Sequence, residues 1–261
     1  MTPLHAIAIL GTVLAAALPA SAHEFWIRPS RFVMQAGQPS KVYLLNGHDD
    51  HHDVVPRNTP YIERYEMLLG GDVLPVGGRH GRLESMVRPA EQGTGIIVYQ
   101  SREVESVLPP ERFLAYLQEQ HLEWAVELRA ELGEADQPGR EVYVRCAKSL
   151  VSVGEEAGVL IDRVAGLPYE IVLDAAGQDG PMTLRVFYEG RPAVHARIVA
   201  TSERTPTRRI ELRTDDQGRA TLPETLEGSW RFTSLHMTRV DDRDAIQWKS
   251  YWASLTASLG E

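Results

Sequence analysis

Along most of this chain apolar and polar residues alternate with a period of two, the spacing of a strand with one buried face. Residues 39–45 (PSKVYLL) read as a first strand, followed by strand-like runs at 61–69, 83–87 and 94–100, punctuated by Gly70-Gly71 and Gly77-Gly78. The polar stretch 46–60, with Gly47, Pro56 and Pro60, reads as a turn-rich loop. Over 109–132 the period changes. Phe113, Leu117, Trp124 and Leu128 recur at roughly helical spacing, as do Leu114, Leu122 and Leu132. Pro109-Pro110 suits a helix start, where the missing N–H costs nothing, and Gly133 suits its end. The spacing breaks near Gln120-His121. Residues 141–153 return to alternation, with Val142, Val144 and Cys146 on one face and Tyr143 and Arg145 on the other.

Beyond Gly154 candidate strands follow at 168–174, 181–188, 193–201, 207–213, 219–222, 229–240 and 246–257, with turns at 177–181, 190–192, 215–218 and 227–228. Short strands at this spacing are the pattern of a β-sandwich. The expectation is a mainly β protein of two sandwich domains. The first spans 23–154 with a helical insertion at about 109–133, and the second spans 165–257.

The first residues change the picture. Residues 6–18 (AIAILGTVLAAAL) form an apolar run, and Ala20-x-Ala22 supplies the small residues of a signal-peptidase site. The run is shorter than the roughly 20 apolar residues of a membrane span, although no Lys or Arg precedes it. The reading is a signal peptide over 1–22 and an exported, periplasmic chain without stable membrane insertion. Cleavage makes His23 the first mature residue. A terminal histidine offers one ion both an imidazole and a free α-amine, whose pKa of roughly 7.7–8.0 lets it shed a proton far more readily than lysine.

The net charge of −9 belongs entirely to the part after residue 22, since the leader carries no Lys, Arg, Asp or Glu. An acidic chain with no basic run disfavours nucleic acid and anionic lipid and is mildly favourable for cations. Cys146 is the only cysteine, so no internal disulfide is available, and the fold rests on its 43% hydrophobic residues.

Histidines carry the candidate chemistry. His48-Asp49-Asp50-His51-His52-Asp53 gathers three imidazoles and three carboxylates, donors that suit transition metals. His48, nearest the strand end, is the best held; His51 and His52 are weaker candidates. Along 229–240 the period of two puts His236 on the face of Trp230, Phe232 and Ser234, hence inward, where a polar ring needs a partner. His80, His121 and His195 read as surface residues, and Cys146 as a small buried hydrophobe. No Gly-x-Ser-x-Gly, His-Glu-x-x-His, Cys-x-x-Cys or phosphate-binding glycine loop occurs.

Several segments together resemble one family. They are His23-Glu24-Phe25-Trp26, Pro56-Arg57-Asn58, the 113–117 helix, the string REVYVRCAKSLV at 140–151, the Thr214-Asp215-x-x-Gly218 turn and the run WKSYWASLT at 248–256. The chain resembles the domain of unknown function 4198 family, whose members are commonly described as periplasmic components of cobalt or nickel transport systems. That resemblance implies a periplasmic protein that binds a divalent transition metal, and a C-terminal sandwich like transthyretin or carboxypeptidase regulatory domains. It maps the family's N-terminal histidine to His23 and its His-Met pair to His236-Met237.

The leading expectation is therefore a non-enzymatic periplasmic protein that binds nickel, cobalt, copper or zinc through His23, His48 and His236. It would support uptake or delivery, with a membrane metal transporter as partner. One competing reading is a copper-dependent oxidoreductase using a histidine brace, with Trp26, Trp248, Tyr251 and Trp252 as a sugar platform. Another is a structural or adhesive sandwich module that holds no metal.

Overall fold

The computed structural model describes residues 24–48, 51–154, 162–174, 182–240 and 246–260. In the first part of the chain the strands are β1 (Glu24–Pro29), β2 (Val33–Met34), β3 (Ser40–His48), β4 (His51–Val55), β5 (Ile62–Leu69), β6 (Asp72–Pro75), β7 (Glu84–Val87), β8 (Gly93–Ser101) and β9 (Val104–Leu108). Two helices follow, α1 (Pro110–Glu119) and α2 (Glu123–Glu131), and then the long β10 (Gly139–Val153). The remainder comprises β11 (Tyr169–Asp174), β12 (Thr183–Tyr188), β13 (Arg191–Pro192), β14 (Arg197–Ser202), β15 (Arg209–Arg213), β16 (Arg219–Thr221), β17 (Gly228–Arg239) and β18 (Trp248–Leu259).

The protein is mainly β, and its strands build three layers. A ten-stranded sheet lies in the middle, with the path β15-β14-β17-β18-β10-β8-β5-β6 and with β2 and β9 attached to β10. One outer sheet holds β1-β3-β4 with β7 on β3; the other holds β11-β12-β13 with β16 on β12. The period of two sends alternate residues of the middle sheet into different cores. Met67, Ile97, Ala147 and Val151 pack with Phe25, Ile27, Val42 and Leu44 of the first outer sheet. Their neighbours Leu68, Ile96, Val98, Cys146 and Leu150 pack with Tyr169, Ile171, Leu184 and Val186 of the second. Burying side chains of this size is worth about 1.5–3 kcal/mol each, and both faces of the middle sheet collect that gain.

The two expected sandwiches are thus present as interfaces, but they are not separate bodies on a linker: they share the middle sheet. The join is β18, which runs antiparallel to β17 and parallel to β10, from Glu141↔Trp248 to Ser149↔Thr256. Sequence order concealed this, because the partner strands lie about a hundred residues apart.

The helical insertion breaks where its spacing breaks. α1 ends at Glu119, α2 begins at Glu123, and His121 between them takes a left-handed φ of 55°. Phe113, Tyr116, Leu117 and Ala125 close over Trp248 and Met237. Tyr116 stacks on Trp252 at 5.9 Å and donates a 3.0 Å hydrogen bond to Glu141, which also accepts from Ser250. Arg129 donates to the carbonyls of Glu134 and Gln137 at 2.7 Å each, and Arg239 grips the Glu134 carboxylate at 2.6 and 2.7 Å. The Arg129 and Arg239 bonds fix the far end of α2 against the end of β17.

The 46–60 stretch differs from its reading as a loop. β3 continues to His48, and β4 returns beside it with His48↔His51 and Gly47↔His52 in register. β4 is an exposed edge strand, so it has no buried face to leave an alternating signature. β1 escaped the pattern for the opposite reason: Phe25, Trp26 and Ile27 are all buried.

Candidate functional site

His48 is placed by a backbone constraint. Its neighbour Gly47 lies against the returning strand so closely that a Cβ there would sit 2.2 Å from the His51 carbonyl oxygen. Only glycine lets the hairpin close at that point, which leaves His48 at the end of β3 on the lip of a cavity of about 550 Å³. The His48 Nδ1 is 4.0 Å from a carboxylate oxygen of Glu119, and the ring is one-third exposed. Glu24, His121, Arg197 and Glu211 also line this cavity.

Most of its charges are matched. Thr233 donates to Glu24 at 3.0 Å, and Arg231 lies 2.8 Å from the same carboxylate while stacking on Trp26 at 4.0 Å. Arg197 forks onto Glu211 at 2.6 and 3.2 Å, and this pairing holds the Glu211 carboxyl below its ordinary range. His48, Glu119 and His121 stand at the helix corner, where His121 Nδ1 lies 3.8 Å from a Glu123 carboxylate oxygen.

His51 stands across from His48 in the ladder, whereas His52 pairs with Gly47 and sets its ring edge-on to Trp26 at 5.3 Å. Both are exposed. His236 faces the Tyr169 side of β17, as the period of two requires. Its ring lies 4.1 Å from that of Tyr188 and 5.6 Å from that of Tyr169. Its Nε2 is buried with no hydrogen-bond partner among the described residues, and burial lowers its pKa from 6.5 against an opposing pull from Glu189.

His236 lines a second cleft, of about 870 Å³, and not the cavity of His48. The two share Gln120, His121, Arg197 and Leu235 as walls. His23 lies outside the described residues, as do Asp49, Asp50 and the leader 1–22. Among the described residues no three His, Cys, Asp or Glu side chains converge to hold an ion. His48 and its neighbours therefore suit a metal only as part of a larger donor set.

His121, read from the sequence as a surface residue, is exposed, and it also lines both cavities. Glu119 was overlooked. The break in helical spacing at Gln120-His121 was the available signal. His195 and His80 are exposed, the former 3.6 Å from Asp216 and the latter accepting from the Thr59 N–H at 3.3 Å. Cys146 is buried, and desolvation pushes its thiol up to about 12. Trp26, Trp248 and Tyr251 are buried too, so they present no platform to a sugar; of that group only Trp252 is partly exposed.

One family model matches most of this chain. Residues 20–238 fit the model described as domain of unknown function (DUF4198). The chain belongs to this family. No curated protein matches it. Among solved structures it is similar to the D0-D1 domain of intimin, at 12% identity and a TM-score of 0.23, covering 89% of this chain and 97% of that one. It is also similar to SGBP-B of the Bacteroides ovatus mixed-linkage glucan utilization locus, in complex with a mixed-linkage heptasaccharide. There the identity is 12% and the TM-score 0.20, over 88% of this chain and 44% of that one. The major pilin subunit of Bacillus cereus follows, at 8% identity and 0.18, over 86% and 62%. Likeness at this level says nothing of ligand or partner. No described helix is long and apolar enough to cross a membrane.

Proposed function

We propose that the protein is an exported carrier of a divalent transition metal, held by the α-amine and imidazole of His23 together with His48. The observation that supports this is the register of β1 on β3. Glu24, which follows His23 in the chain, opposes Gly47, which precedes His48. Glu24 and His48 also line the same cavity, beside Glu119 and His121. Nitrogen-rich donors favour copper, nickel, cobalt or zinc over magnesium or calcium, with copper tightest by the general divalent order. His236, in the adjoining cleft, is not needed for this chelate. A periplasmic protein of this kind would take up the ion there and pass it to a membrane transporter.

The test uses protein secreted through its own leader, with the N-terminus established by mass spectrometry. Titration with Cu²⁺, Ni²⁺, Co²⁺ and Zn²⁺ should give one site per chain. Adding a single glycine before His23, or replacing His48→Ala, should weaken binding at least tenfold. Equal affinity in all three proteins would sink the proposal.

A further inference from the structure

The cleft around His236 has a feature that its neighbour lacks. Among the described residues three non-glycine positions have left-handed backbone: His121 (φ 55°), Glu189 (49°) and His195 (54°). All three line this one cleft. Each is a tight corner, between α1 and α2, between β12 and β13, and before β14, where glycine or asparagine would relieve the strain. Glu189-Gly190 is the clearest case. It occupies the two-residue turn of the β12–β13 hairpin, whose first position favours asparagine or glycine over a long acidic side chain. Strained backbone bearing chemically useful side chains collects where a ligand is bound.

The chemistry of the walls narrows the ligand. The floor is aromatic: Tyr188 lies against the His236 ring on one side and against Tyr251 at 5.3 Å on the other. The Tyr169 hydroxyl is engaged with Ser234 at 2.6 Å. The Nε2 of His236 is buried without a partner among the described residues, a costly state for a polar atom, and a ligand group reaches it once the ring turns toward the cleft. Arg191 and Arg213 stand on the rim. Arg213 gives one N–H to the His195 carbonyl at 3.3 Å, and neither arginine has a carboxylate partner among the described residues. Arg197 is neutralised by Glu211, and one carboxylate, Glu189, opposes the remaining pair. The cleft's size falls within the range of small-molecule sites.

We infer that this cleft binds a small organic carboxylate with a flat apolar body, whose carboxylate meets His236 Nε2 under the field of Arg191 and Arg213 while its body lies on Tyr188. The inference does not depend on the metal site, because none of these residues belongs to the His23–His48 chelate. Burial lowers the His236 pKa from its ordinary value, which favours a neutral ring that can donate a hydrogen bond.

The probe is phenylacetate, with phenylacetamide as its neutral isostere. Binding is read from the fluorescence of Trp124, a partly exposed residue of the cleft wall, and from the imidazole resonances of His236. Phenylacetate should bind saturably in the low-millimolar range or tighter and at least fivefold better than the amide. His236→Phe keeps an aromatic ring and should lose tenfold or more. The rim pair Arg191→Gln with Arg213→Gln, which carries no core packing, should abolish the preference for the acid and covers the case in which His236→Phe misfolds. Absence of saturable binding, equal binding of acid and amide, or a His236 response to Zn²⁺ but not to phenylacetate would each overturn the proposal.

Discussion

Lys148 and Glu170 join the middle sheet to the second outer sheet through an ion pair at 2.6 Å, with side chains 2% and 1% exposed. Burial lowers the Lys148 pKa in spite of Glu170, so desolvation outweighs attraction at the lysine. The pair is therefore no simple source of stability, yet breaking it from one side should be severe, about 3–5 kcal/mol. The two sides differ. Glu170 also accepts the backbone N–H groups of Ala165, Gly166 and Leu167 at 2.9, 2.9 and 3.3 Å. Lys148→Met leaves the carboxylate with those three donors, so its cost belongs near the lower figure. Glu170→Gln leaves an ammonium without an anion and weakens the anchoring of 165–167, so its cost belongs near the upper one. Lys148 in that variant has an escape, to lose its proton. The folded pKa then lies further below 10.5, the unfolded chain binds more protons over the interval between, and stability rises with pH there. Urea unfolding followed by tryptophan fluorescence at pH 7 and pH 9 reads both effects. With m of about 2 kcal/mol/M, a loss of 4 kcal/mol moves the midpoint by about 2 M. Glu170→Gln should recover part of its loss at pH 9, and Lys148→Met should not. Single variants within about 1 kcal/mol of the parent, or a Glu170→Gln loss identical at both pH values, would refute the reasoning.

Other consequences are open to direct measurement. Gly47→Ala places a methyl group 2.2 Å from the His51 carbonyl; a loss of at least about 2 kcal/mol is expected, together with weakened metal binding, and calorimetry of the variant checks it. His236 contributes a pH dependence of known sign. Its folded pKa lies below 6.5, so the unfolded state takes up a proton first; stability should fall as pH drops below about 6.5 and level off once the folded ring also titrates, and this component should vanish in His236→Phe. Cys146, buried and with its thiol pushed up to about 12, should resist an aromatic disulfide reagent at pH 8 in the native protein and react fully in urea.

How much of this was legible depended on whether a segment had one buried face. β12 betrays itself by alternation, β5 and β8 by short apolar runs bounded by turn residues, and the helix pair by its change of period. β17 placed His236 correctly because Trp230 and Phe232 mark its inward face. β4 carries only exposed or half-exposed side chains and β1 a buried core triplet, so neither alternates, and both hide inside apparent loop or leader-adjacent sequence. The candidate site was harder still. Glu119, His121, Arg197 and Glu211 meet only because the α1–α2 corner, β14 and β15 converge on the end of β3. No local pattern records such a meeting. The sharing of one sheet by both halves was invisible for the same reason, since pairing of β10 with β18 is parallel and joins distant strands.

That pairing has a consequence for the birth of the fold. β18 is the latest of the described strands in sequence, yet its place is interior, between β17 and β10. Until residues 248–259 arrive, both neighbours carry a bare edge of unpaired N–H and carbonyl groups, one on each side of a strand-wide gap. Open edges recruit other chains, and parallel contacts between distant strands form slowly. Those edges must therefore wait, exposed, for their keystone, and the period of greatest danger comes just before the sheet closes.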